Sequence, residues 1–219
     1  MEIKNIKTSK LENKELLESV ELFKIENLLW GTEKIAKTYG YIGFVPGEGL
    51  YIKLVCVEKN PLRIYKKDQD PVYKDSAMEA FFPSVSLPVI CLENRCDLMA
   101  ADDIYLNFEM NANGALLACY GKNKMNRIPF TPDQIRKMKC SAEIQEEQWN
   151  VNLALPIEIL EQVYGKLNLQ EGSDFRCNFY KICETKEYEH YAAYRCVESE
   201  QPNFHLPEYF ENAVILKRK

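Results

Sequence analysis

The segment Tyr105-Leu106-Asn107-Phe108-Glu109-Met110-Asn111 carries side chains that could do chemistry. Strand alternation sets Leu106, Phe108 and Met110 on one face and Tyr105, Asn107, Glu109 and Asn111 on the other. Phe175-Arg176-Cys177-Asn178-Phe179-Tyr180-Lys181 repeats the pattern, with Phe175, Cys177 and Phe179 inward and Arg176, Asn178 and Tyr180 outward. A sugar ring offers flat C–H patches and a rim of hydroxyls, so recognising it takes aromatic faces for stacking and fixed amides or charges for paired hydrogen bonds. Two strands bearing these groups supply both. The competing reading is a solvated sheet face on which Glu109 and Arg176 form a cross-strand pair worth under about 1 kcal/mol.

Other residues invite a role and have a plainer one. Asp75 and Ser76 could touch a ligand or tie down a turn through local backbone hydrogen bonds. Trp149 shares a face with Val151, Leu153 and Leu155, which assigns it to the core. His205, between Phe204 and Leu206 in a proline-flanked loop, reads as structural, and Trp30 beside Gly31 stays undecided. A glycosidase needs two carboxyls close together, and Asp75, Glu79 and Glu109 are the candidates. No G-x-S-x-G, P-loop or H-E-x-x-H is present. The reading leans away from an enzyme and assigns no catalytic residue. Asp68, Asp70, Asp102 and Asp103 offer oxygens to calcium, without the spacing of an EF-hand loop, so solvated loops are the plainer reading. No C-x-x-C pair exists and only His190 and His205 are available, which argues against structural zinc.

The elements that must position these groups are short strands. Leu50, Ile52, Leu54 and Cys56 face one way after the turn Pro46-Gly47-Glu48-Gly49, and Thr38 to Val45 is the expected hairpin partner. Strands are expected over 77–82, 104–110, 115–120, 149–155, 175–182, 188–197 and 213–217, with Asn113-Gly114 turning the second into the third. Thr131-Pro132-Asp133-Gln134 starts a short helix, and Pro156 to Tyr164, closed by Gly165, forms another. Leu11 to Trp30 fits a helix in its first half and a strand after Val20. The expectation is one all-β domain over residues 1–219, an antiparallel β-sandwich with jelly-roll or immunoglobulin-like layers and one or two short helices.

Composition bounds the function. The 219 residues are 46% hydrophobic and 28% charged, enough apolar material for a sizeable core. A net charge of -5 without a basic stripe argues against nucleic acid, and no apolar run could span a bilayer. The chain is expected to be a soluble monomer. Cys56, Cys91, Cys96, Cys119, Cys140, Cys177, Cys183 and Cys196 mostly sit in apolar runs, as free thiols do. With no apolar stretch behind Met1-Glu2-Ile3-Lys4-Asn5-Ile6-Lys7, they point to the cytoplasm, secretion not being excluded.

Five stretches together resemble the carbohydrate-binding module family 9-like proteins. Asp70 to Phe82 is similar to that family's P-V-Y-x-D-S-x-x-E-x-F-F, and Tyr105 to Gly114 to its Y-x-N-F-E-x-N-x-x-G. Trp149 to Pro156 resembles W-x-V-x-x-x-x-P, Arg176 to Lys181 R-x-N-F-Y-K, and Pro202 to Pro207 P-x-F-H-x-P. The resemblance implies a β-sandwich that binds plant-type poly- or oligosaccharides by clamping a ring between two aromatic side chains, with structural calcium in some members. Tyr73 and Tyr194 stand where relatives often carry tryptophan and are the expected clamp. Asn107, Glu109, Arg176 and Asn178 are the expected hydrogen-bonding groups, and Asp75, Tyr105, Tyr180 and Tyr191 complete the candidate site. The alternatives are a protein-interaction sandwich and a weak glycan-processing hydrolase.

Overall fold

The computed structural model describes residues 1–6, 20–83 and 104–216. Its strands are β1 (Glu2–Asn5), β2 (Phe23–Ile25), β3 (Asn27–Leu28), β4 (Lys37–Val45), β5 (Gly49–Val57), β6 (Ala77–Pro83), β7 (Tyr105–Asn111), β8 (Leu116–Gly121), β9 (Arg127–Pro129), β10 (Ser141–Ile144), β11 (Trp149–Pro156), β12 (Asp174–Cys183), β13 (His190–Ala193) and β14 (Glu211–Ile215). Two helices, α1 (Pro132–Met138) and α2 (Ile157–Tyr164), complete the described elements with two short 3-10 turns. No helix among the described residues is long and apolar enough to cross a membrane.

The strands run in the order β10-β11-β5-β4-β1-β14-β12-β6-β7-β8-β9, with β2 beside β4, β13 beside β12 and β3 beside β13. Most pairings are antiparallel, as expected. β1 differs: it lies parallel to both β4 and β14, so the sheet is a curled mixed one. Period-two patterning says which side chains share a face but not which way a neighbour runs, so this mixed pairing was not foreseeable. One apolar core fills the inside of the curl. Ile42, Phe44, Ile52 and Leu54 meet Met78, Phe82, Leu106, Phe108, Phe175 and Phe179 there, with Trp149 fully buried among them.

The hairpin β4–β5 forms as the sequence implies, with Val45 opposite Gly49 and Gly47 in the left-handed region. Gly49 is required by its surroundings as well as its φ of 146°, because a Cβ there would lie 2.1 Å from the carbonyl oxygen of Leu155. The β7–β8 hairpin turns at Gly114, where the Asn111 side-chain oxygen accepts from the N–H of Asn113 and Ala115. Thr131 caps α1 in a full capping box with Gln134, and Gly165 closes α2. Of the strand expected over 188–197, only His190–Ala193 forms. Tyr188 is held in a turn on Thr185, and the Arg195 N–H donates to the Asn178 side chain. In the ambiguous stretch after Leu11, residues 11–19 lie outside the described residues, and the remainder contributes β2 and β3. Cys56, Cys119, Cys140, Cys177, Cys183 and Cys196 are free, while Cys91 and Cys96 lie outside the described residues.

Outside the curl, the sheet formed by β7, β6, β12 and β13 carries a second apolar layer. Phe81, Tyr105, Tyr180, Ile182 and Tyr191 are covered by Val197, Phe204 and Phe210 from the segment between β13 and β14. This segment decides how much of the polar face stays open.

Candidate functional site

At one end of that outer face the covering segment stops short and leaves a cleft of about 550 Å³, its open mouth included. Glu79, Glu109, Ile182 and Tyr191 form the floor, Trp30, Tyr73 and Phe204 stand around it, and Arg127, Lys124, Glu184 and His205 contribute charge or polarity. A second hollow of about 720 Å³ adjoins it, sharing Trp30, Tyr191 and Pro202 and adding Thr32, Glu189 and Glu200.

The floor follows from register. Glu109 of β7 lies directly opposite Glu79 of β6, Glu79 lies opposite Tyr180 of β12, and Ile182 lies opposite Tyr191 of β13. Like charges directly opposite one another on a sheet face repel, and these are 2% and 3% exposed. Burial pushes the Glu79 carboxyl well above its usual range, and the neighbouring Glu109 charge pushes it further. Burial likewise raises Glu109, to about 7, against the pull of Arg127, whose Nη1 lies 3.4 Å from Glu109 Oε1. Asn107 Nδ2 donates to that same oxygen at 3.0 Å. Glu109 Oε2 and Asn107 Oδ1 are buried and have no partner among the described residues. At the floor, Glu109 Oε2 is therefore left for a ligand group to satisfy.

The aromatic groups are held by local backbone devices. Tyr73 sits in the 3-10 turn Val72–Lys74, and its carbonyl accepts from the Glu184 N–H at 2.9 Å. Asp75, fully buried, fixes that loop by accepting from the N–H groups of Ile64 and Tyr65 and from Asn111 Nδ2, at 2.8, 3.0 and 2.8 Å. Trp30, with φ of 48°, and Gly31, with φ of 79°, make the bend after β3. That bend sets the indole against Tyr191 and Phe204 at 5.4 and 5.2 Å between ring centroids, and Trp30 Nε1 donates to Ser199 O. Tyr105 Oη and His205 Nδ1 lie 2.8 Å apart, anchoring the covering segment. Burial holds the His205 pKa down to about 3, assisted by Arg127 and Lys124, so the ring is neutral.

The structure brings Tyr73, Glu109 and Tyr191 of the sequence-derived candidates to one cleft and sends the others elsewhere. Tyr194 does not face Tyr73: its ring packs on Phe23 and Phe179 from the inner side, at 5.4 and 6.3 Å. Arg176 does not pair with Glu109, because β6 separates their strands; its guanidinium donates to the carbonyls of Pro207, Glu208 and Phe210. Asn178 holds Arg195 and Tyr209 backbone, and Tyr180 lies under Phe204 at 4.0 Å between ring centroids. Tyr105, Asn107 and Asp75 are buried supports beneath or beside the cleft. The sequence reading left Trp30 undecided, weighed Glu79 only as a glycosidase carboxyl, read His205 as structural, and gave Arg127, Lys124, Glu184 and Phe204 no role. Only Glu79, alternating outward on its strand, left a usable signal.

Calcium was weighed on the acidic loops. Asp68 Oδ1 accepts the Leu116 N–H and Asp70 Oδ2 the Lys67 N–H, so both carboxylates serve backbone. No group of three His, Cys, Asp or Glu side chains suited to a metal occurs among the described residues. Asp102 and Asp103 lie outside the described residues.

The family model for carbohydrate-binding family 9 matches residues 12–215. The chain belongs to carbohydrate-binding family 9. No curated protein sequence matches it. Among solved structures it is similar to a Bacteroides uniformis protein named as a candidate carbohydrate-binding protein, with TM-score 0.78 at 18% identity, covering 98% of both chains. It is also similar to a family 9 module from Caldicellulosiruptor kristjanssonii solved with glucose, with TM-score 0.62 at 11% identity over 100% of this chain and 97% of that one. The cellotriose complex from the same organism aligns with TM-score 0.61 at 11% identity over 100% and 95%. At such identities these likenesses concern the fold.

Proposed function

We propose that this family 9 chain binds a saccharide in the cleft over Glu79 and Glu109 and leaves it chemically unchanged. The observation that carries the reading is a carboxyl floor in which Glu109 Oε2 is buried without a partner among the described residues, ringed by the aromatic side chains of Tyr73, Trp30, Tyr191 and Phe204. Sugar hydroxyls would donate to the carboxyls while ring C–H groups lie against the aromatic faces. Family membership supports saccharide as the ligand class, and the glucose and cellotriose bound by the Caldicellulosiruptor module support plant-type glucans as the first ligands to try.

The test is calorimetric titration with glucose and cellotriose, with chromatography of the sugar afterwards. Tyr73→Ala should weaken binding at least tenfold, about 1.4 kcal/mol, while the thermal midpoint hardly moves, because Tyr73 is half-buried in a surface turn. Unchanged affinity in that variant would remove the cleft from the reading. Appearance of shortened sugars would replace binding by hydrolysis.

A further inference from the structure

Within the cleft the two floor carboxyls are not equally provided for. Glu109 has Asn107 Nδ2 at 3.0 Å and the Arg127 guanidinium at 3.4 Å on the same oxygen. Glu79 lies opposite it and is as deeply buried, yet it accepts no hydrogen bond and has no cation in ion-pair reach among the described residues. A buried carboxylate without a cation is costly, so the group either keeps a proton or waits for a positive partner.

The charged and titratable groups facing Glu79 come from several elements: Glu109 on β7, the neutral Tyr180 phenol on β12, Glu184 beyond β12, Arg127 on β9 and Lys124 before it. Arg127 is spent on Glu109. Lys124 and Glu184 are exposed, where salt and water screen them. His205 is neutral. What stays unmatched at the floor is a pair of carboxyls without a cation of their own, with Glu109 Oε2 lacking a partner among the described residues. Aromatic rings stand around it, and such surroundings favour a cation over a neutral group.

We propose that the cleft selects a saccharide bearing a free amine, an unacetylated hexosamine unit, over its neutral parent. This rests on the saccharide reading above and names the ligand class. An ammonium group brings the missing charge and three N–H donors to Glu79 and Glu109 Oε2, whereas a hydroxyl brings donors without charge. Acetylation removes the charge and adds bulk, so the N-acetyl sugar should lose the advantage. Burial raises both floor carboxyls and so favours their protonated forms in the empty cleft, and seating an ammonium there should release a proton into the buffer.

The experiment is calorimetry at pH 7 with glucosamine, glucose and N-acetylglucosamine, repeated in phosphate and in Tris, whose ionisation enthalpies differ. Glucosamine should bind at least tenfold more tightly than glucose, and its apparent enthalpy should depend on the buffer while that of glucose does not. The ratio of the two affinities should fall towards one in Glu79→Gln, with circular dichroism confirming the fold. Glucose binding as well as or better than glucosamine overturns the amine proposal and leaves saccharide binding standing. An unaltered ratio in folded Glu79→Gln also overturns it. Failure of all three sugars to bind overturns the amine proposal, failure of cellotriose as well overturns saccharide binding, and the ligand comparison on the parent protein needs no variant.

Discussion

Replacing Glu109 with glutamine removes a charge that the fold holds at a cost, and the cost can be read as pH dependence. Burial lifts the Glu109 pKa to about 7 from 4.5, with Arg127 offsetting part of the rise. Each tenfold change in an acid dissociation constant corresponds to about 1.4 kcal/mol, so ionising Glu109 costs roughly 3 kcal/mol more in the native state than in the unfolded one. Native protein keeps this proton between pH 4.5 and 7 while the unfolded chain has released it. The contribution is therefore whole below pH 4.5 and lost as pH rises to 7. Glu79 has the same sign, its pKa raised by burial and then by Glu109. His190 and His205 have the opposite sign: burial lowers them to about 4 and about 3 from 6.5, so their contribution is whole above pH 6.5 and lost on acidification. These opposing contributions should leave stability nearly level between pH 4.5 and 6.5, with a decline on either side. Urea unfolding of parent and Glu109→Gln at pH 4.5 and pH 8 measures the difference directly. The variant should gain about 3 kcal/mol on its parent between those two pH values. A constant offset at every pH would show that Glu109 is not the buried, pH-sensitive carboxyl described, and the account of the cleft floor would fall with it.

Tyr194→Ala should cost about 2 kcal/mol of stability, because the half-buried ring packs on Phe23 and Phe179 against the core. Saccharide affinity of the folded fraction should be unchanged, as calorimetry below the melting temperature would show. Lys181→Met should destabilise by about 3 to 5 kcal/mol in urea titration. Its buried ammonium donates to Ser76 Oγ at 2.7 Å and meets His190 Nε2 at 2.8 Å, while the Ser76 hydroxyl and Trp149 Nε1 both donate to Glu58 Oε2. Adding Glu58→Gln to Lys181→Met should recover part of that loss, since the carboxylate is then no longer left without its cation.

Much of the secondary structure was legible because the physics behind it is local. Pro/Gly and Asn-Gly turns, period-two alternation and the Thr131 capping box each depend on neighbours a few residues away, and the corresponding elements form close to where the pattern puts them. Alternation also assigned Trp149 to the core and put Glu109 on the face opposite Leu106, Phe108 and Met110. The joining of the sheet through β1 left no such mark, because the direction of a neighbouring strand does not alter which side chains alternate.

The candidate site was legible in residue type more than in place. Arg176, Asn178, Tyr180 and Tyr105 do lie on the outer face, but Phe204, His205 and Phe210 arrive from far along the chain and cover it. Tyr194 follows β13, where the chain turns its ring back towards Phe179. What the sequence alone determined was which groups each strand carries and on which side, since a pleat enforces alternation whatever the fold. Which of them meet in water was decided by the tertiary structure. Register set Glu79 opposite Glu109, and the C-terminal segment halted short of them, through contacts whose partners lie tens of residues apart.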